Sequence, residues 1–420
     1  MTPEIKQRIQ QIGRGEVPER YVKTALGLAP ANWKRYTFGD IYTERKESGD
    51  ENLPLLMVSI HSGVSDGEVD AAELPKQVKR IEDKSQYKKA VSGDLVFNMM
   101  RAWQGAIGTV RTTGMVSPAY IVAEPNDKVN PLFMDYYSRT PQMINQIDRQ
   151  SYGVTDFRKR LYWDSFAPIG CILPPIEEQQ KIAAILTTQD RVIELKEKRL
   201  AEKRRQKRYL MQQLLTGKKR LPGFSGAWEK EKLGKCASMC SGGTPDTKNE
   251  KYYGNDYIWI SIKDMTSAGK YICSSERGLT EAGLLNCSAR LFPKGTILFA
   301  MYASIGECSI AETECCSSQA ILGIEPDSKL NNEFLYYLLS NSKGYFKSFG
   351  QASSQPNLNK DIVQSIVVQI PEIEEQAAIA EVLSAADREI NLLRQDIEQE
   401  KQKKKALMQL LLTGIVRVTV

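Results

Sequence analysis

One stretch of about 45 residues is written twice in this chain, and the repeat limits what the chain can fold into. The first copy, LPPIEEQQKIAAILTTQDRVIELKEKRLAEKRRQKRYLMQQLLTG, runs from Leu173 to Gly217. The second, IPEIEEQAAIAEVLSAADREINLLRQDIEQEKQKKKALMQLLLTG, runs from Ile370 to Gly414. They align without a gap and share roughly 20 identities, far beyond what a common helical composition provides. A duplicated segment after each half of a protein implies two-fold pseudosymmetry.

Each copy predicts a long helix. Pro174, Pro175, Glu177 and Glu178 open one, and Pro371, Glu372, Glu374 and Glu375 open the other. Proline and acids suit a positive helix N-terminus. Both copies close on a Thr-Gly pair, where glycine can take the left-handed cap. Between these ends apolar residues fall at steps of three and four. They are Ile182, Leu186, Ile193, Leu200, Leu210 and Leu214 in the first copy. In the second they are Ile379, Leu383, Ile390, Leu393, Ile397, Leu407 and Leu411. That is a heptad seam. A helix of about 40 residues is ~60 Å long, too long for a globular core. The two seams are therefore expected to pair with each other, antiparallel, as a spacer between two globular halves.

The halves repeat more faintly. Trp33 answers Trp228, and Gly93–Phe97 answers Gly295–Phe299 as a turn leading into a buried strand. Ile107-Gly108 is matched to Ile305-Gly306, and Ser117-Pro118-Ala119 to Ser318-Gln319-Ala320. Ser151-Tyr152-Gly153 is matched to Ser348-Phe349-Gly350, then Leu161 and Asp164 to Leu358 and Asp361. Strand cores and junctions match while the loops differ. One scaffold used twice with different loops suits the reading of two different things. Phe133 to Ile147 and Glu333 to Phe346 read as helical. The fold class expected is α+β: two similar mixed α/β domains separated by two long antiparallel coiled-coil helices.

A net charge of +6 permits DNA binding without predicting it. The longest basic run, Lys196 to Arg208, fits either a solvated helix face or a surface toward DNA or a partner. The eight cysteines lack zinc-knuckle spacing, and His61 is the lone histidine, so no metal site is expected and the cysteines read as buried thiols in a reducing compartment. No long apolar run or signal peptide is visible, which points to the cytoplasm and away from a membrane. A phosphate loop for ATP is missing, as is a Gly-x-Gly turn that could cradle S-adenosylmethionine. Asn130-Pro131-Leu132-Phe133 only faintly echoes an amino-methyltransferase loop. Asp246 with Glu250 and Lys251 faintly echoes a nuclease metal site, but the segment is dense in turn formers. No active site is expected.

The duplicated PxIEEQ…LMQxLLTG helix, MRAWQGAIG (Met100 to Gly108) and FRKRLYWDSF (Phe157 to Phe166) resemble specificity subunits of Type I restriction–modification systems. The resemblance runs from about Ala31 to Gly414. It implies a non-catalytic subunit with two target-recognition domains and two conserved helices. Such a subunit reads a split target in double-stranded DNA and docks two adenine methyltransferase subunits, and through them motor–nuclease subunits. S-adenosylmethionine, ATP and magnesium then belong to those partners and none to this chain. The boundaries expected are an N-terminal helical segment (1–30), a first recognition domain (31–173) and a first spacer helix (174–217). Beyond them come a linker (218–227), a second recognition domain (228–370), a second spacer helix (371–414) and a tail (415–420). Ile5 to Gly13 loosely resembles the end of the helix repeat, which would make the arrangement cyclic.

Phosphates are met by Lys, Arg, Ser, Asn and backbone amides, and base edges by Arg, Asn, Gln and Lys. On that basis the first domain offers Arg101, Trp103 and Gln104, then Arg158, Lys159 and Arg160 before its helix. In the second domain the corresponding loops hold Tyr302 and Ser304, and Gln351, Ser353, Ser354, Gln355, Asn357, Asn359 and Lys360, with Lys248, Lys251 and Tyr252 as further candidates. Two other functions remain open from sequence: a coiled-coil scaffold with two protein-binding heads that never meets DNA, and a nuclease at Asp246 and Glu250.

Overall fold

A computed structural model describes residues 3–50, 52–65, 86–153, 159–346 and 358–418. Both copies of the repeat are single helices, Ile176–Leu214 and Ile373–Leu412. The chain divides into two compact units, Met1–Leu195 with Ile397–Val420, and Lys196–Asp396, so the division runs through the middle of each long helix. Each unit thus holds one half of each helix, and in both the halves run antiparallel. In the first unit the Gln189 amide donates to the Glu400 carboxylate at 2.7 Å, and Lys404 pairs with Asp190 at 2.5 Å. In the second, Lys196 meets Asp396, Lys203 meets Glu389 and Lys207 meets Asp387, at 2.8, 2.9 and 2.5 Å. Much of the basic run is therefore neutralised by the facing helix, while Arg204, Arg205 and Arg208 stay exposed.

Nine of the thirteen seam residues are buried, and Leu200, Leu210, Leu393 and Leu407 are half-buried. They do not bury against the other helix alone. Ile182, Leu186 and Leu411 share a core with Phe38, Phe97 and Phe133 of the first unit. Leu214, Ile379 and Leu383 share one with Phe299, Phe334 and Tyr337 of the second. Two helices shield only a narrow stripe of each other, and the wider apolar faces at the helix ends need a sheet and helices to cover them.

The head of the first unit is built on a four-stranded antiparallel sheet in the order Tyr42–Glu44, Tyr120–Pro125, Leu95–Asn98, Ile107–Thr109. The second has the same four in the same order, Ala237–Ser241, Ile321–Pro326, Ile297–Ala300 and Cys308–Ala311, with Tyr271–Ile272 added in parallel at the edge. Alternate residues of the central strands are apolar and buried on both faces, as a sheet covered on both sides requires.

The repeated Glu-Glu-Gln of each helix start joins helix to head. Gln179 accepts from the Asn130 amide at 2.9 Å and donates to the Lys128 and Pro174 carbonyls. Gln376 does the same with Asn331, Lys329 and Pro371. Glu178, buried, accepts from the Trp33 indole at 3.2 Å and from both arms of the Arg417 guanidinium at 2.7 Å. Glu375 accepts from Trp228 at 3.2 Å and from Arg220 at 2.6 Å. Higher on each helix, Tyr136 donates to Asp190 and Tyr337 to Asp387, both at 2.7 Å.

Several expectations need correction. The N-terminal segment is helical only over Pro3–Gly13; past Gly15 and Pro18 it forms a hairpin, Tyr21–Thr24 with Gly27–Pro30. The first unit is completed after Gly414 by Ile415–Val418, whose Arg417 takes the role of Arg220. The N-terminal helix only touches this segment, through Arg8 donating to the Ile415 carbonyl at 3.0 Å. Gly414, at φ +70, lies so close to Pro30 that a side chain would collide with it. The helix expected over Phe133 to Ile147 is two, Pro131–Tyr137 and Pro141–Gln150, because Pro141 starts a new helix capped by Thr140. The helix expected from Glu333 to Phe346 is broken once, at Ser342: it ends at Asn341 and residues 343–346 are helical again. The match of Ile107-Gly108 to Ile305-Gly306 is out of register: strand pairing sets Ile107 opposite Phe97 and Cys308 opposite Phe299. The glycines that share a role are Gly105 and Gly306, at φ +104 and +82. The match of Ser151–Gly153 to Ser348–Gly350 falls partly outside the described residues.

All eight cysteines are free. Burial pushes the Cys171, Cys315 and Cys316 thiols up to about 12, and Cys308 higher still. The expectation of uniformly buried thiols fails at Cys273, which is exposed, and at Cys240 and Cys287, which are half-buried.

Candidate nucleic-acid interface

In the first unit the strand Leu95–Asn98 runs out into a loop carrying Arg101, Trp103 and Gln104. Residues 102–104 form one tight helical turn that ends on Gly105. Arg101 and Gln104 are exposed, whereas Trp103 is half-buried, with its indole donating to the Met100 carbonyl at 3.0 Å. The segment leading to the long helix comes back against this loop. The Leu161 amide donates to the Met99 carbonyl at 2.9 Å, and the Lys159 ammonium lies 5.1 Å from the Trp103 ring centre. Two sequence-predicted segments some 55 residues apart thus form one surface. Lys159 also pairs with Asp148 at 2.8 Å, so part of its charge is answered within the protein. Arg160 is half-buried, and Arg158 lies outside the described residues.

The second unit repeats the construction. The Leu358 amide donates to the Met301 carbonyl at 3.1 Å, which brings Asn359 and Lys360 to the loop of Tyr302 and Ser304. Asn359 and Lys360 are exposed, Tyr302 and Ser304 half-buried. Between these two, Ala303 is held at φ +54, a backbone region that non-glycine residues seldom occupy. Gln351, Ser353, Ser354, Gln355 and Asn357 lie outside the described residues.

Lys248, Lys251 and Tyr252 belong to a different neighbourhood. Lys251 and Tyr252 lie in the short turn Glu250–Tyr252 and Lys248 just before it, and the Thr280 amide donates to the Tyr252 carbonyl at 3.1 Å. Among the described residues no hydrogen bond ties them to the Tyr302 loop. Lys248 and Lys251 are exposed. Asp246 closes the turn by accepting from the Lys248 amide at 3.0 Å, as a loop residue does. Among the described residues no cluster of three or more His, Cys, Asp or Glu side chains is placed to hold a metal ion.

Sequence reasoning missed Tyr152 and Tyr162. Both are exposed, at 58% and 42%, and their ring centres are 5.8 Å apart beside Arg160. Exposure was the signal, and it is invisible in a sequence.

The family of this architecture is set by comparison. A family model described as the Type I restriction modification DNA specificity domain matches residues 58–203 and 226–402, more than half of the chain. The chain belongs to that family. The role of the family is DNA target recognition in Type I restriction–modification. The putative type I restriction enzyme MjaX specificity subunit of Methanocaldococcus jannaschii is 25% identical over 95% of this chain and 97% of its own. The MjaIX specificity subunit of the same organism is 33% identical over 43% of this chain; that match spans only 41% of the relative. Among solved structures, the Type I restriction-modification system S subunit from M. genitalium matches with a TM-score of 0.56 over 90% of this chain and 96% of its own. At 13% identity that likeness speaks for the fold alone. No helix among the described residues is long and apolar enough to cross a membrane.

Proposed function

We propose that this chain is a non-catalytic specificity subunit that reads a bipartite DNA sequence, one half-site per head. It docks two adenine methyltransferase subunits, and through them motor–nuclease subunits, in the cytoplasm. The observation that carries this reading is the pair of matching backbone bonds, Leu161 to Met99 and Leu358 to Met301. Each gathers two loops just beyond an interior strand of its own head, Leu95–Asn98 or Ile297–Ala300, and the side chains presented differ between heads. A shared frame with unlike readers is what an asymmetric two-part target requires. S-adenosylmethionine, ATP and magnesium are assigned to the partners.

The docking surface for the methyltransferases is assigned to the long helices. Leu195 and Leu392 occupy the same position of the repeat and, at 50% and 65%, are the most exposed large apolar side chains of their helices, ahead of Tyr209, Ile185 and Ile373. Changing Leu195 to aspartate is expected to weaken capture of the methyltransferase encoded beside this chain by about tenfold or more, and Leu392→Asp likewise. Size-exclusion chromatography of co-expressed proteins reads this out, and complexes that survive both changes would move the docking surface elsewhere.

The test of the whole reading is co-expression with that methyltransferase and mapping of adenine methylation across the host DNA by single-molecule sequencing. A split motif that disappears when this chain is deleted is the expected result. No motif, together with no salt-sensitive DNA binding, would leave a protein scaffold as the reading.

A further inference from the structure

The loops gathered beyond Leu95–Asn98 in the first unit carry a paired aromatic feature. Tyr152 and Arg160 form a two-residue bridge, each amide donating to the other's carbonyl at 3.1 and 2.9 Å. Tyr162 comes two residues later and sets its ring against Tyr152, 5.8 Å between centres at a 36° tilt. Two rings left largely in water are an uncovered apolar surface, and such surfaces mark contacts. On the same bridge the Arg160 Nη1 is shielded from solvent and has no acceptor among the described residues. A buried guanidinium donor without an acceptor is an unfavourable state that a bound acceptor would relieve.

The short helix beside this bridge differs between the units. Tyr162 sits at the N-cap of Trp163–Phe166 and makes no capping bond. In the second unit the same position is Asn359, whose side chain accepts from the Ile362 amide at 2.9 Å. The first unit therefore forgoes a cap that its scaffold accommodates and shows a tyrosine ring to solvent instead. Stability does not explain that choice. Phosphate binding does not either, because a phosphate has no use for an apolar ring face.

Resting on the DNA-reading function above, we propose that Tyr152, Tyr162 and Arg160 are a base-reading element of the first half-site. The two rings form a face for a thymine methyl group, and Arg160 donates to an acceptor on a neighbouring base edge. Both are major-groove chemistries that these residue types supply.

The experiment compares methylation motifs of the full chain, co-expressed with its methyltransferase, for Tyr152→Ala, Tyr162→Asn, Arg160→Gln and the double Tyr152→Phe/Tyr162→Phe. Tyr162→Asn reproduces the cap of the second unit, so its thermal midpoint is expected to hold or rise and folding cannot account for a loss. Alanine and asparagine variants are expected to relax one or two positions of one half-site by about tenfold, leaving the other half-site intact. The double phenylalanine variant keeps the ring faces and is expected to keep the thymine preference. Duplex binding by the purified complexes is measured alongside as a function of salt. An unchanged motif with uniformly weaker binding and a shallower salt slope would make this a phosphate contact and overturn the proposal. An unchanged motif with unchanged binding overturns it as well. A wild-type complex that yields no motif removes the DNA-reading function and this inference with it, an outcome distinct from a motif that the variants do not alter.

Discussion

Replacing Glu375 with alanine is expected to cost the second unit about 3 kcal/mol, a large share of the stability of a domain its size. The carboxylate is 2% exposed and accepts three bonds, two from Arg220 and one from the Trp228 indole. Its loss strands a guanidinium and a half-buried N–H together. The cost falls at the lower end of the range for breaking a buried pair because Arg220 keeps 27% of its side-chain exposure and can turn toward water. Glu178→Ala should cost the first unit a similar amount through Arg417 and Trp33. Urea unfolding followed by tryptophan fluorescence measures both, and each should lower the thermal midpoint by roughly 6–12 °C. A change under about 1 kcal/mol would class the cluster with surface ion pairs.

Lengthening both long helices is expected to change the spacing of the DNA target and nothing else about it. Four residues inserted between Leu195 and Lys196, and four more between Asp396 and Ile397, lengthen each helix by about 6 Å. The gap between half-sites in the methylated motif should grow by about one to two base pairs while both half-site sequences stay the same. An insertion in the first helix alone is a poorer test, since it would slip Lys203 and Lys207 past Glu389 and Asp387. Half-sites that change in sequence while the gap stays fixed would show that the helices do not act as a spacer.

The long helices were legible because their signal is local and repeated: proline and acids at the start, a seam, Thr-Gly at the end. The reason the Glu-Glu-Gln motif recurs was not legible. Its meaning lies in Trp33 and Arg417, whose separations from Glu178 no sequence window spans. The same limit governs the interface. Arg101 and Arg160 could each be nominated by residue type, but their common surface depends on the bond from Leu161 to Met99. Tyr162 was overlooked because an aromatic residue beside Trp163 and Phe166 reads as core. Only its 42% exposure separates it from Phe166, which is fully buried. The register slip at Gly105 and Gly306 has a similar origin: identical letters aligned, while the left-handed turn that fixes the correspondence lay elsewhere. Pro141 was the missed local cue, a start signal inside what read as one helix.

The two units differ in how the chain supplies them. The second is one continuous run, Lys196–Asp396, but the first closes only with Ile397–Val420. Leu411 and Leu412 complete its core, and Arg417 neutralises its buried Glu178. During synthesis, therefore, the head that leaves the ribosome first must wait with an open core, while the head made later can settle before it. A message cut short just before residue 411 would release a chain with an ordered second head and an unfinished first one. Loss of the last helix turns thus damages the half of the protein encoded farthest from the break.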